Sequence, residues 1–257
     1  MKRLFAFGCS FTKWPWPTWA DILAKNQSYD LYENWGEPGA GNLFIFNSII
    51  ECNLRHKFTK NDTIRVMWST THRKDQYRDR KWDLGGGIRS IHALKAGPFD
   101  LRGYYIRDMA FIYAIDQLMS SICCDFQMMS MTSLVDGWAG AAENPMTQSP
   151  EFMIMEHKET ENCQDIIELY QETLNKIFPS VHKVVYNHDW TSRPQHVKND
   201  FHPSPLLHLE YLDKIFGDGY ISTDTRNIVN EWNDLYVRVD DSPCDWSMPG
   251  SYAPVRF

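Results

Sequence analysis

The sequence predicts an α/β protein in which a parallel sheet carries helices on both faces. Two observations predict it. Short apolar runs alternate with longer segments of helical spacing over most of the chain, the pattern of βαβ units. The 257 residues are 43% hydrophobic, enough for one large core, and no internal repeat, low-complexity run or linker divides them. The expected organisation is one domain over 1–257, with insertions around 72–103 and 133–162 and an irregular tail from 217.

Each element has its own local reason. "KRLFAFG" (2–8) is a buried strand. "TWADILAK" (18–25) predicts a helix capped by Thr18, just after the rigid "WPWP". "SYDLYENWG" (28–36) is a second strand. "GNLFIFNSIIECNLRH" (41–56) has helical spacing at Leu43, Phe46, Ile49, Ile50 and Leu54. "DTIRVMWS" (62–69) is a third strand. "YIRDMAFIYAIDQLMSSI" (105–122) is the clearest helix, and "CDFQMMSM" (124–131) a fourth strand whose methionines read as core. Residues 163–178 are helical. "VHKVVYN" (181–187) is a candidate fifth strand or a short surface segment. "SPLLHLEYLDKIF" (204–216) is a helix with Ser204 as cap and Pro205 at its first position. One further helical stretch covers about 224–236.

Composition excludes several classes. A net charge of −7 argues against a nonspecific grip on nucleic acid, which needs concentrated positive charge. The basic residues Arg73, Lys74, Arg78, Arg80 and Lys81 are interleaved with acids and read as a solvated loop. No apolar window is long enough for a membrane span. The first strand starts at Lys2, so no signal peptide is expected; the expected location is cytoplasmic or virion-associated. The six cysteines contain no CxxC pair, and Cys9, Cys123 and Cys124 read as buried thiols in a reducing compartment. The late histidines show no HxH, HxxxH or HExxH spacing, so no metal is expected. "GGG" (85–87) lacks a Walker pattern, and "GEPGAGN" is not GxGxxG, so no nucleotide cofactor is expected either.

In open α/β sheets ligands sit beyond the carboxyl ends of the strands. Those ends here read "GCSFT", "NWGEPGAGN", "WSTTHR" and "MTSLVDGW". A small-residue exit from the first strand at Gly8 can present a nucleophile, Cys9 or Ser10, or be an ordinary turn. Ser10 would need a base. The candidate is His202 in "NDFHPSP" (199–205), with Asp200 two residues before it to orient the imidazole. The glycine loop at 34–42 could bring a backbone N–H to an oxyanion.

"GCSFT", "NWGEPGAGN" and "DFHPS" together resemble blocks of the SGNH (GDSL-like) serine hydrolases, over roughly residues 3 to 216. The resemblance implies a three-layer α/β/α flavodoxin-like fold with a sheet of about five strands, and ester hydrolysis without a cofactor. Carried over by position, it makes Ser10 the nucleophile and one oxyanion donor, Gly39 the second donor, His202 the base and Asp200 its orienter. The family's third block usually reads Gly-x-Asn-Asp after strand three, its asparagine side chain being an oxyanion donor; here that place reads "WSTTHR" (68–73), with no asparagine. Asn42 or Thr71 are the leading substitutes, with Ser69 and Thr70 behind them.

The chain has ten tryptophans. Trp14, Trp16, Trp68, Trp82 and Trp138 follow strands one, three and four, and with Arg73 they are the expected substrate rim. Flat indole faces suit sugar rings, so the expected substrate is a small-molecule or glycan ester, plausibly an O-acetyl carbohydrate, rather than a lipid. The rival expectation is a non-catalytic binding or structural protein, such as a virion or assembly component, that keeps the fold.

Overall fold

In the computed structural model the described residues are 1–71, 73–84, 101–134, 163–187 and 202–237. Strand β1 (Arg3–Phe7) is buried at every position and forms the spine of the sheet. It is flanked by β2 (Leu31–Asn34) on one side and β3 (Asp62–Trp68) on the other, both parallel to it. β6 (Asp125–Ser130) pairs parallel with the far side of β3, so the order is β2-β1-β3-β6. A separate two-stranded hairpin, β4 (Gln76–Arg78) and β5 (Lys81–Asp83), lies between β3 and the next helix.

The connections fix the layers. Helix α1 (Trp19–Asn26) joins β1 to β2, and α2 (Asn42–His56) joins β2 to β3. The chain steps outward on one side of β1 and returns on the other. With right-handed crossovers, this reversal puts α1 and α2 on opposite faces. α3 (Leu101–Ile122) packs beside α2. On the other face α1 meets α7 (Pro205–Phe216) and α8 (Thr223–Val237). The expected three-layer α/β/α architecture is therefore present, and its order is the start of the flavodoxin-like series. The reversal makes the gap between the ends of β1 and β3 the topological switch point, where such sheets bind ligands.

The core between these layers holds Leu4, Phe5, Phe7, Trp19, Trp35, Phe44, Ile49, Trp68, Met129 and Tyr211, all 2% exposed or less. Met128 and Met131 are buried with them. The helix starts follow their sequence signals. Asp21 at the third position of α1 accepts from the Thr18 backbone N–H at 2.9 Å, and the Ser204 hydroxyl accepts from Leu207 N at 3.3 Å.

Four expectations change. Residues 181–187 are not a strand: Val181–Tyr186 form helix α6, with the Ser180 hydroxyl accepting from Lys183 N at 3.2 Å. The buried set Val181, His182, Val185 and Tyr186 has helical spacing rather than alternation. The main sheet therefore has four strands among the described residues, not about five, and only Ile177 makes a parallel bridge to Met128 at its edge. The segment 163–178 is not one helix but two, α4 (Gln164–Leu169) and α5 (Gln171–Leu174), separated at Tyr170. Part of the expected 72–103 insertion is ordered secondary structure, the β4–β5 hairpin and the first turn of α3. Finally, Cys123 is exposed and Cys124 only partly buried, because they occupy the turn between α3 and β6, where Cys123 takes φ 59°. No helix among the described residues is long and apolar enough to cross a membrane.

Candidate active site

The strand that opens the chain stops at Gly8 because the chain folds back over it. A side chain at Gly8 would put its Cβ 2.0 Å from Thr12 Oγ1 and 2.9 Å from the Met67 carbonyl oxygen. The turn that follows is closed by Thr12 N and Lys13 N donating to the Cys9 carbonyl at 2.9 and 3.1 Å. Its Thr12 carbonyl accepts from the Thr18 hydroxyl at 2.6 Å and from Asn34 Nδ2 at 2.7 Å. Ser10 sits in this pinned turn at the end of β1 and is 4% exposed. Cys9 faces the core, with its Sγ 3.7 Å from Met131 Sδ.

The second wall is the loop after β2. Asn34 also accepts from Gly36 N at 2.9 Å, so one buried side chain joins the two loops. Glu37 N donates to the Gly8 carbonyl at 3.1 Å. Residues 37–40 form a β-turn in which Ala40 N donates to Glu37 O at 3.0 Å and Gly39 takes φ 81°. Pro38 followed by a glycine at positive φ is the type II pattern, so Gly39 is required by the backbone. Arg73 Nη1 donates to the Ala40 carbonyl at 2.8 Å. Asp75 then caps α2 from a distant part of the chain, its two carboxylate oxygens accepting from Gly41 N at 2.8 Å and Phe44 N at 2.9 Å. Burial pushes the Asp75 carboxyl above its usual range, although these N–H groups and nearby arginines oppose the shift.

Behind the loop lies a buried polar cluster. Asn42 Nδ2 donates to the Ser69 carbonyl at 3.1 Å and to Asp108 Oδ2 at 2.9 Å, while its Oδ1 accepts from Ser69 N at 2.8 Å. Asp108 is fully buried on α3 and pairs with Arg107. Burial pushes its carboxyl up to about 7. Both Asn42 amide hydrogens are thus spent on the fold, and the expected oxyanion role for Asn42 is not supported. Ser69 and Thr71 are both buried at the end of β3.

His202 reaches this region from the far end of the chain. Its ring stacks on Trp14 with centroids 3.5 Å apart at 19°, and meets Phe11 edge-on at 5.6 Å. Trp16 Nε1 donates to the Pro203 carbonyl at 2.8 Å, fixing the segment just before α7. His208, one turn into α7, is buried, and desolvation, aided by the charge of His202, lowers its pKa to about 3. Asp200 and Trp138 lie outside the described residues.

The expected aromatic rim is only partly a rim. Trp68 is fully buried in the core and offers no face to a ligand; Trp16 is buried as well. Trp14 spends one ring face on His202. Trp82, half-buried on β5, packs edge-on against Phe44 at 5.4 Å. The arrangement also contains groups that sequence reading did not single out: Asn34, Asp75 and Asp108. An Asn-x-Gly after a strand could have pointed to Asn34. Nothing local marks Asp75 or Asp108, whose partners are about 30 or more residues away in the chain.

No protein-family profile and no curated protein matches the chain. Among solved structures it is similar to a member of the lipolytic protein G-D-S-L family from Veillonella parvula DSM 2008, at 12% identity and TM-score 0.44, covering 83% of this chain and 97% of that one. It is also similar to the psychrotrophic esterase EstA from Pseudoalteromonas sp., in a structure inhibited by monoethylphosphonate, at 12% identity and TM-score 0.44, covering 84% of this chain and 97% of that one. The fold class stands independently of both, on the parallel sheet of order β2-β1-β3-β6 and its flanking helices.

Proposed function

We propose that the protein is a serine esterase acting on an O-acyl group. The observation that carries this reading is the packing of His202 on Phe11, the residue after Ser10, and on Trp14, just past the turn that follows β1. A histidine some 190 residues away in the chain is held against the serine's own turn, at the switch point of the sheet. In the reaction Ser10 Oγ attacks the acyl carbon and its proton passes to His202. His202 returns the proton to the leaving alcohol, and water then releases the acid from the acyl-enzyme. Asp200 orients His202. The backbone N–H groups of Ser10 and Gly39 stabilise the oxyanion, with Thr71 first among the side-chain candidates and Ser69 and Thr70 behind it. The reaction needs no cofactor. Trp14, Trp82, Trp138 and Arg73 would border the acyl or sugar portion, with an O-acetylated carbohydrate as substrate class.

The test is labelling by a fluorophosphonate, read by mass spectrometry, together with turnover of acetyl and dodecanoyl esters of one chromophore. Stoichiometric labelling of Ser10, lost in Ser10→Ala with an unchanged melting temperature, is the expected result. Labelling of Cys9, or none at all with no turnover, overturns it. Faster cleavage of the long chain would remove the carbohydrate reading alone.

A second reading has one observation in its favour. Asn42, one of the two leading substitutes for the missing asparagine of the third block, donates both its amide hydrogens to Ser69 and Asp108. A non-catalytic binding or assembly protein would need no such donor, and it would leave Ser10 unlabelled.

A further inference from the structure

Away from the Ser10 turn, α2 and β2 bring together a glutamate, a cysteine and a histidine. Cys52 and His56 stand four residues apart in the last turns of α2, on one face of the helix. Glu33 projects from β2 toward that face; its neighbours Tyr32 and Asn34 serve the opposite side, where Tyr32 donates its hydroxyl proton to Asp21 on α1. One ligand-type atom from each of Glu33, Cys52 and His56 lies within 4.8 Å of the other two. His56 Nε2 and Glu33 Oε2 are 3.1 Å apart.

We propose that Glu33, Cys52 and His56 form a binding site for one zinc-class divalent ion. A tetrahedral zinc holds its S, N and O ligands at about 2.0–2.3 Å, so its ligands stand roughly 3.3–3.8 Å from one another. In the cluster His56 Nε2 and Glu33 Oε2 are already 3.1 Å apart, and no pair of ligand atoms is more than 4.8 Å apart. The donor set selects the ion: a thiolate with an imidazole and a carboxylate suits zinc or cobalt and disfavours magnesium and calcium. On binding, the Cys52 thiol proton leaves to solvent, and the proton that His56 Nε2 shares with Glu33 moves to Nδ1 or to solvent, so that Nε2 can coordinate.

Three further features fit a cation here. Trp35 Nε1 donates to Glu33 Oε2 at 2.7 Å, an outer contact that holds the carboxylate in place. His56 is the last residue of α2, where the aligned carbonyl dipoles favour positive charge, a preference Arg3 already partly meets by donating to the His56 and Lys57 carbonyls at 3.1 and 3.2 Å. The nearby Arg3 guanidinium does not oppose it with a net charge, because Asp62 pairs with Arg3 through two contacts of 2.6 Å. Cys52 is fully buried, whereas the side chains of Glu33 and His56 are 13% and 22% exposed. An ion could therefore enter past Glu33 and His56 and keep a water as its fourth ligand. The site lies roughly 15–20 Å along α2 from the Ser10 end of the sheet, and its role would be to clasp the end of α2 to β2.

Chelator-treated protein titrated with cobalt(II) tests this directly. The expected result is one cobalt per chain, with a thiolate-to-cobalt charge-transfer band and tetrahedral d–d bands, both displaced by zinc. Cys52→Ser should abolish the charge-transfer band. His56→Gln and Glu33→Gln should each weaken binding about tenfold or more. Circular dichroism checks that each variant is folded; if Cys52→Ser is not, the two partly exposed positions decide. Absence of the charge-transfer band in the wild-type protein overturns the site, as does cobalt binding at wild-type affinity by either His56→Gln or Glu33→Gln.

Discussion

Trp14 and His202 lie face to face, ring centroids 3.5 Å apart, although they stand 188 positions apart in the chain. The contact gives the imidazole a flat wall on one side, and Phe11 supplies an edge on another. In the proposed reaction His202 accepts the Ser10 proton, and such a transfer is fastest when the ring is held in one orientation.

Trp14→Ala should therefore act on turnover more than on binding. Removing the wall lets the His202 ring swing, so kcat for a small acetyl ester should fall about tenfold or more while KM changes little. Trp14→Phe keeps a flat face and should restore most of the rate. An unchanged kcat with a raised KM would make Trp14 a substrate contact only.

Gly8 has no room for a methyl group. Gly8→Ala would drive a Cβ to 2.0 Å from Thr12 Oγ1, which can rotate, but also to 2.9 Å from the Met67 carbonyl, which is held in the sheet. The expected cost is about 1–3 kcal/mol, seen as a lower midpoint in urea with the slope unchanged. A midpoint equal to the wild type would show that the turn shifts without strain.

Asp75 holds the start of α2 and the Gly39 turn from outside. Asp75→Ala leaves the buried N–H groups of Gly41 and Phe44 without their acceptor, which should cost about 1–3 kcal/mol of stability. On the proposed function, ester turnover should fall as well, because the loop carrying Gly39 loses its anchor. Hydrogen exchange read at Gly41 and Phe44 should speed up in the variant; unchanged protection there would count against the cap.

Asp108 should make stability depend on pH in an unusual direction. Its pKa is raised from 3.8 to about 7 by burial, so the folded chain keeps a proton that the unfolded chain releases. Between about pH 4 and 7 the native state binds more protons, and this group lowers stability as pH rises through that window. Asp108→Asn keeps an acceptor for Asn42 and removes the ionisation. Relative to wild type, the variant should gain stability from pH 4 to 8, on the order of 2–4 kcal/mol across the range. A stability difference independent of pH would show that Asp108 is ionised throughout.

The sequence by itself determined the alternation of strands and helices, the parallel sheet, and the ends of α1 and α7. These rest on local signals: apolar periodicity, Thr18 and Ser204 as caps, and Pro205 at the first turn. It also offered Ser10 at a strand exit and His202 before a helix as candidates, while Gly39 came only from the resemblance to the second block of the SGNH hydrolases. Tertiary structure alone decided the rest. Residues 181–187 are rich in β-branched valine and read locally as a strand, but burial of one helical face won over that propensity. Trp68 and Trp14 look alike in the sequence, yet one is fully buried and the other stacks on His202. From the sequence Asn42 reads as a free donor, but in the fold Ser69 and Asp108 take both its amide hydrogens. Glu33, Cys52 and His56 come together only when β2 lies under α2. Local patterns record how a segment prefers to fold; which polar groups satisfy each other depends on partners dozens of residues away, and only the packed chain specifies them.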